Sequence, residues 1–312
     1  MERIGAIDAW ASLITPEGAT QWPAEFVHIF KRYKVDRRML EGMTLETMLA
    51  EMDEADVEIA VFSAFGYGDL HVVSNETVGA VVKKRPDRFI GAGTVDPRKR
   101  PMEVAREIER MVKDLGIRIV RLEPYAYGGD PYTGLPPNDK RYWPVYLKCV
   151  ELGVPVAIQV GHTGPLMPSE CGRPIYLDEV ALAFPELVIF GCHLGQPWHE
   201  EMMILAWKHP NVYVETSARP AKFWPPSFLD FVKGWGQDKV IWGTDYPLVS
   251  FKRAREDVDS VGLPIEIKKK LLRENFLRAL RCQTPPPHPA LSPRGGEDKG
   301  EGGMSGIGGR RK

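Results

Sequence analysis

Short apolar runs alternate with longer segments of helical spacing over most of the chain. Eight of these runs are rich in Val and Ile and mostly lack strict apolar–polar alternation, which is typical of strands buried on both faces. They cover residues 6–10, 57–65, 88–95, 117–124, 154–161, 187–195, 211–218 and 239–247. Helical spacing is found in residues 74–86, 101–116, 139–153, 176–185, 199–210, 226–236 and 266–280.

The ends of the predicted helices carry recognisable signals. Pro101 stands in the first turn of one helix, and Gly116 and Gly153 are predicted to end two of them. Regular alternation of strands and helices favours a parallel sheet with right-handed crossovers. Eight such units in about 280 residues match a (β/α)8 TIM barrel of class α/β. A doubly wound open sheet is the alternative, but no GxGxxG motif follows any predicted strand.

Two segments depart from the repeating pattern. Residues 14–44 form a long insertion after the first strand, and its "PAEFVHIFKRYK" stretch predicts a helix over the barrel mouth. The last thirty residues are dense in Pro, Gly and charge and poor in apolar side chains. Such a composition buries too little surface to offset the entropy of ordering. We therefore predict one barrel domain over 1–282 and a disordered tail over 283–312.

The composition argues against nucleic-acid-binding, disulfide-rich and membrane-spanning classes of protein. Lys plus Arg number 41 and Asp plus Glu 42, a formal net charge of −1, so no basic surface indicates a nucleic acid or a membrane as partner. Four cysteines without a CxxC pair predict reduced thiols in a cytoplasmic protein. No apolar run reaches the length of a membrane span, and no signal peptide is recognisable at the N-terminus.

Polar residues concentrate where the predicted strands end. In a TIM barrel these ends form the active site, so the side chains there are candidates for chemistry. Each has a plain alternative: Asp245 could cap a turn, His193 could be a satisfied core histidine, His162 could be a solvated loop residue, and Glu123 could only form an ion pair. The candidates are Trp10, Arg121, Glu123, Gln159, His162, His193 and Asp245.

Two stretches together resemble a known family. "GCHLGQPWHEEMMILAWKHPNVYVETSA", followed by "VIWGTDYP", is similar to the amidohydrolase-related barrels, in the branch of aminocarboxymuconate semialdehyde decarboxylase and the resorcylate-type decarboxylases. The resemblance covers about residues 4–280. It implies one divalent metal, often zinc or manganese, with Asp245 at the eighth-strand ligand position and His193 at the sixth-strand histidine. It also implies that a homodimer is an option.

The sequence departs from the metal-binding pattern of that family. "IDAWASL" occupies the place of an Asp-x-His-x-His motif, with Trp10 and Ser12 at the two histidine positions, and Gln159 stands at the fifth-strand histidine. An indole cannot bind a metal, and hydroxyls and amides bind zinc poorly. Three alternatives stay open. In the first, the site is rebuilt around a zinc or manganese ion on Asp245, His162 and His193, with Glu123 or Asp8 as an optional further ligand. In the second, it works without metal, with His193 and Asp245 as an acid–base pair. In the third, catalysis is lost.

The resemblance and the candidate residues together predict an enzyme acting on a small carboxylated metabolite, with an aromatic ring as one option. The reaction would be hydrolysis or non-oxidative decarboxylation, with His193 as general acid or base and Asp245 as its partner. His162 and Gln159 would position the substrate, Arg121 would bind its carboxylate, and Glu123 would line the same site. Trp10, Tyr125 and Trp224 would stack on a ring. The alternative from another class is an inactive barrel that binds a ligand.

Overall fold

Eight parallel strands form the centre of the molecule. The computed structural model describes residues 4–67, 70–128 and 133–281. The barrel strands are β1 (Ala6–Ala11), β2 (Val57–Ser63), β5 (Phe89–Thr94), β6 (Ile117–Leu122), β7 (Val156–Gln159), β8 (Ile189–Cys192), β9 (Val212–Glu215) and β10 (Val240–Ile241). They pair in chain order, with a separate hairpin of β3 (Phe65–Tyr67) and β4 (Leu70–Val73) after β2. The predicted TIM barrel is confirmed.

Helices surround the strands and connect them. They are α1 (Pro16–Ala19), α2 (Ala24–Tyr33), α3 (Asp36–Glu41), α4 (Leu45–Glu54), α5 (Asn75–Lys84), α6 (Pro101–Lys113), α7 (Trp143–Leu152), α8 (Tyr176–Ala183), α9 (His199–Lys208), α10 (Pro226–Lys233), α11 (Phe251–Ser260), α12 (Ile265–Lys269) and α13 (Asn275–Arg281). A π-helical stretch, Lys270–Glu274, joins the last two helices. The predicted helical insertion after the first strand is α1 to α3. None of the helices in the described residues is long and apolar enough to cross a membrane.

Several boundaries differ from the sequence-based expectation. Gly153 ends α7 in the left-handed conformation, as predicted, but α6 stops at Lys113 and Gly116 lies in the following turn. The hairpin of β3 and β4 was not predicted, because its run merges with the apolar end of β2. Helix α11 was also missed: its buried face consists of Phe251, Ala254, Asp257 and Val258, so a charged residue interrupts a narrow apolar stripe.

Apolar side chains fill two layers. The larger core lies between the strands and the surrounding helices, and a smaller one fills the barrel interior. The inner core includes Ile7, Val61, Ile119 and Ile241 from four strands, and Phe276 of α13 packs into the same cluster. Side chains therefore fill the inside of the barrel.

Other sequence-based expectations have a mixed outcome. Cys149, Cys171 and Cys192 are free and buried, as expected of reduced thiols. Cys282 and the predicted disordered tail lie outside the described residues. The domain boundary at 282, the cytoplasmic location, the homodimer, and the lack of nucleic-acid and membrane partners all stay predictions.

The barrel closes where β1 meets the chain that follows β10. The amide of Ala9 donates to the Trp242 carbonyl at 3.1 Å, and the amide of Asp245 donates to the Trp10 carbonyl at 2.8 Å. The Asp8 carboxylate accepts hydrogen bonds from the Trp10 and Thr244 amides, both at 3.0 Å on the same oxygen, and from the Thr244 hydroxyl on the other. Burial raises the pKa of Asp8 to about 7. Asp8 thus holds the closing seam together.

We predict that Asp8→Ala lowers the free energy of unfolding by about 2–4 kcal/mol, because it leaves buried donors without an acceptor. Asp8→Asn is the matched control, since an amide can accept at one atom and donate to Thr244 from the other. The raised pKa means that the native protein loses stability as pH rises from about 4 to 7, and this component should vanish in the Asn variant. Urea unfolding at several pH values measures both effects. An Ala variant as stable as the native chain would contradict the role of Asp8.

Candidate active site

A cavity of about 880 Å³ opens at the carboxyl ends of the barrel strands. This volume lies within the range typical of small-molecule sites, and the position is where TIM barrels place them. One wall is aromatic and comes largely from the insertion and the hairpin: Trp22, Phe26, Phe30, Tyr33 and Phe65. The other wall is polar and comes from the strand ends: Ser12, Arg121, Gln159, His162, His193, Arg219 and Asp245. The cavity therefore suits a planar ring that carries polar groups.

His193 directly follows β8 and lies in the cavity wall. It adopts a left-handed backbone with φ of 70°, as does Leu194 at 62°, which is rare for residues other than glycine. Its Nδ1 lies 2.6 Å from the Ser217 hydroxyl and 3.2 Å from the Ser217 carbonyl. A carbonyl can only accept, so Nδ1 carries the proton and Nε2 is left as an acceptor.

The electrostatic surroundings keep His193 neutral. Burial lowers its pKa well below the usual range, and the guanidinium groups of Arg219 and Arg121 lower it further. Ser217 in turn donates to the carboxylate of Glu215, from its hydroxyl at 2.5 Å and from its amide at 2.7 Å. Burial raises the pKa of Glu215 to about 8. The chain Glu215–Ser217–His193 fixes the orientation of the imidazole.

Asp245 follows β10 and also adopts a left-handed backbone, with φ of 63°. Its amide is anchored to β1 through the Trp10 carbonyl at 2.8 Å, so its side chain lies in the cavity wall together with His193. Burial raises the pKa of Asp245 to about 6, against the opposing effect of Arg121 and Arg219. A carboxyl group with such a pKa can donate a proton under mildly acidic conditions.

Arg121 is held in place from several sides. Its guanidinium lies 4.0 Å from the ring centroid of Trp10, donates to Ser12 Oγ at 3.3 Å, and forms a buried ion pair with Glu123. Tyr125 donates to the same carboxylate at 3.1 Å. Trp10 is only 1% exposed, and its ring packs edge-on against His193 at 5.2 Å between centroids. Trp10 therefore packs against both Arg121 and His193, and Glu123 holds Arg121 through the ion pair.

His162 and Gln159 lie at the end of β7. His162 accepts a hydrogen bond on Nε2 from Arg219 at 2.9 Å, and its Nδ1 lies 3.0 Å from the Thr163 carbonyl. Burial and Arg219 both lower the pKa of His162, so its ring is neutral. The side-chain oxygen of Gln159 is buried without a hydrogen-bond partner. Gln159 is thus able to accept from a bound molecule.

The residues of the cavity do not fit a divalent metal ion. Asp245, His162 and His193, predicted as ligands, all line the cavity. The Arg219 guanidinium already donates to Nε2 of His162, however, and its positive charge would repel a metal ion at the same position. Within the described parts of the chain, no three His, Cys, Asp or Glu side chains are grouped so that they could hold a metal. His193 Nε2 and the Asp245 carboxylate are two donors where zinc sites need at least three from the protein.

Arg219 was missed by the sequence analysis. It lies two residues beyond Ser217, in the loop after β9, and its Nε is buried without an acceptor. The signal available in the sequence was a cation soon after a strand end, which is weak by itself. Trp224, predicted to stack on substrate, instead lines an adjoining cleft and donates to the Arg219 carbonyl at 2.7 Å. The catalytic and binding roles of all these residues stay predictions.

Comparisons with known proteins agree with this architecture. The amidohydrolase family model matches residues 7–282. A gamma-resorcylate decarboxylase from a Polaromonas strain is 22% identical over 275 residues, which cover 75% of this chain and 82% of that protein. An uncharacterised TIM-barrel protein from Bordetella bronchiseptica superposes with a TM-score of 0.76 and 25% identity, covering 89% of this chain and 99% of the other.

A second similar structure contains a metal ion and a bound aromatic acid. A 5-carboxyvanillate decarboxylase from Novosphingobium aromaticivorans, complexed with manganese and 4-hydroxy-3-methoxy-5-nitrobenzoic acid, has a TM-score of 0.68 at 19% identity. The alignment covers 88% of this chain and 96% of that one. Since the family model spans most of the sequence, this chain belongs to the amidohydrolase family. The resemblance inferred from "GCHLGQPW" and "VIWGTDYP" is confirmed.

We predict that the protein, purified without a histidine tag or chelator, contains far less than one zinc or manganese ion per chain. The reason is the donor set: an indole and a hydroxyl replace two ligands, and Arg219 occupies His162. Elemental analysis measures the content, and thermal unfolding with added manganese should show no shift. One ion per chain, lost in Asp245→Ala but kept in Asp114→Ala, would show that a metal site has been rebuilt.

Proposed function

We propose that this chain catalyses the non-oxidative decarboxylation of a small hydroxylated aromatic carboxylate without a metal ion. The observation that carries the proposal is the pair His193 and Asp245, which line one cavity with pKa values shifted in opposite directions. Opposite shifts supply a neutral base and a protonated acid at the same pH, which acid–base chemistry requires. The decarboxylase names of the relatives support the same reaction class.

The cavity supplies the binding groups for such a substrate. A ring fits between the aromatic side chains of the insertion and the hairpin. Arg219 forms no ion pair with a carboxylate in the described residues, and its Nε lacks an acceptor, so it is the cation available to an incoming carboxylate. Arg121 is already neutralised by Glu123. We therefore assign carboxylate binding to Arg219 and assign Arg121 to the orientation of Trp10 and His193.

The reaction we propose balances in two steps. The Asp245 carboxyl donates its proton to the ring carbon that bears the carboxylate, while His193 Nε2 takes the proton of the neighbouring hydroxyl. The carbon–carboxylate bond then breaks, carbon dioxide leaves, and its bonding electrons restore the aromatic ring. The phenolate recovers its proton from His193, and solvent reprotonates Asp245. The net change is one proton consumed and one carbon dioxide released for each substrate.

The remaining site residues have supporting roles in this proposal. Gln159 accepts a hydrogen bond from a ring hydroxyl through its unpartnered oxygen. His162 holds the Arg219 guanidinium toward the cavity at 2.9 Å. Trp10 packs against the His193 ring, and Ser217 fixes its Nδ1 proton. Ser217 and Trp10 thus orient the proposed base, and His162 orients the cation that would bind the carboxylate.

We predict that the protein releases carbon dioxide from one or more hydroxybenzoates in a panel of mono- and dihydroxylated benzoic acids. Asp245→Asn and His193→Gln should each lower kcat by about 100-fold or more, because each removes one proton-transfer group. Asp114→Asn, on the outer end of a helix, is the matched control and should leave kcat unchanged. Release is measured by coupled carbon dioxide assay. Ring binding without any turnover would instead favour a ligand-binding protein, and ester hydrolysis without carbon dioxide would favour a hydrolase.

The pH dependence of kcat/KM tests the assignment of acid and base, because this constant reports the pKa values of the enzyme without bound substrate. Asp245 must be protonated, so the rate should fall as pH rises through about 6. His193 must be neutral, so the rate should also fall as the pH is lowered through the pKa of His193, which lies well below the usual histidine range. The profile is therefore a bell with its maximum in the mildly acidic range. A rate that rises through neutral pH would reverse the two roles.

A further inference from the structure

A second cleft, of about 540 Å³, adjoins the catalytic cavity. Arg32, Tyr33, Ala218 and Arg219 line both spaces, so the two are separated only by these side chains. Beyond this boundary the cleft is lined by Lys34 at the end of α2, Arg253 of α11 and the loop after β9. We name this space the basic cleft.

The charge of the basic cleft is one-sided. Four cations line it, Arg32, Lys34, Arg219 and Arg253, and none of its lining residues is acidic. Arg253 has an acid within reach, since its Nε lies 3.9 Å from Asp257, but Asp257 is closer to Lys222, at 3.1 Å. Like charges at close range repel each other unless an anion joins them. The chain as a whole has a net charge of −1, so the basic cleft is a local excess of positive charge.

The cations share the lining of the basic cleft with Tyr33. Burial raises the pKa of Tyr33 and the Asp245 carboxylate adds to this effect, while the charges of Arg219, Arg253 and Arg32 oppose it. The Tyr33 hydroxyl donates to the Ala218 carbonyl at 3.5 Å, at the boundary of both spaces. The Arg219 Nε is assigned above to the carboxylate in the main cavity, so an anionic group in the basic cleft would be held by the other three cations, Arg32, Lys34 and Arg253.

An apolar surface accompanies the charges. Phe223 is 66% exposed and lines the basic cleft together with Trp224 and Pro225. Exposed apolar surface bordered by charged groups is typical of binding sites, and here it would contact the carbon skeleton of a ligand that carries an anionic group. The lining of the basic cleft thus provides both contacts that such a ligand needs.

We propose that the basic cleft is a second anion subsite, which holds a further carboxylate or phosphate group of the molecule that reacts in the main cavity. This rests on the proposed function, which places the reacting ring on the other side of Arg219. It makes the preferred substrate a dianion that extends past Tyr33, in which a hydroxybenzoate of the panel corresponds to the reacting half. Arg219 contacts both halves and couples their binding.

The test measures binding to the full chain, without turnover, by calorimetry at low ionic strength. Pyrophosphate and malonate are the probes for the basic cleft, and salicylate is the probe for the main cavity. We expect one site for pyrophosphate, malonate or both, still available when the protein is saturated with salicylate. Binding of only one of the two tells which acid group the cleft prefers. Because no reaction is followed, a failed decarboxylation assay leaves this test intact.

Charge variants make the test specific. Combined Arg32→Gln, Lys34→Gln and Arg253→Gln should weaken probe binding at least about ten-fold, since three facing charges are lost. The control combines Lys83→Gln, Lys84→Gln and Lys113→Gln, which remove the same charge at the opposite end of the barrel. The control should bind as the native protein does. Absence of probe binding, equal losses in both variants, or displacement of the probe by salicylate would overturn the proposal.

Discussion

The closing seam between β1 and the end of the chain after β10 is the constraint on which the site depends. A parallel barrel has no free edge only if its first and last strands meet, and here the ladder of β10 is just two residues long. Asp8 completes the closure by binding the amide and hydroxyl of Thr244. The same seam sets the Asp245 amide on the Trp10 carbonyl. The hydrogen bonds that close the barrel therefore also position Asp245, the proposed acid.

Two arginines lie close to the buried carboxyl groups at the barrel mouth and oppose part of the effect of burial on their pKa values. Four carboxyl groups are buried here, and burial raises the pKa of each: Asp8 within β1, Glu215 at the end of β9, and Glu123 and Asp245 after β6 and β10. Two guanidinium groups oppose this effect at Asp245 and depress the pKa of His193. A metal ion would normally provide positive charge in such a site. In this chain, Arg121 and Arg219 provide it from fixed side chains.

The arrangement of Arg121 gives a physical reason for the residues that replace the histidines of the family pattern. Trp10 offers the face of an indole to the guanidinium at 4.0 Å, and Ser12 accepts a hydrogen bond from it. An indole and a hydroxyl serve a planar organic cation well and a divalent metal poorly. The two substitutions in "IDAWASL" and the arginine in β6 therefore form one consistent set.

The sequence by itself determined the barrel, the helical insertion and the strand ends that line the cavity, because these follow from local periodicity and from the direction of parallel strands. The resemblance to the family also predicted Trp10, Ser12 and Gln159 at its histidine positions, because that comparison needs only the aligned residue types. Tertiary structure alone decided which side chains meet. The Arg219–His162 contact spans 57 positions, and the seam at Asp8 spans 236. Tyr33 reaches Ala218 from an insertion whose packing no local pattern encodes. Such pairings arise from closing the sheet into a barrel, so no short window of sequence contains them.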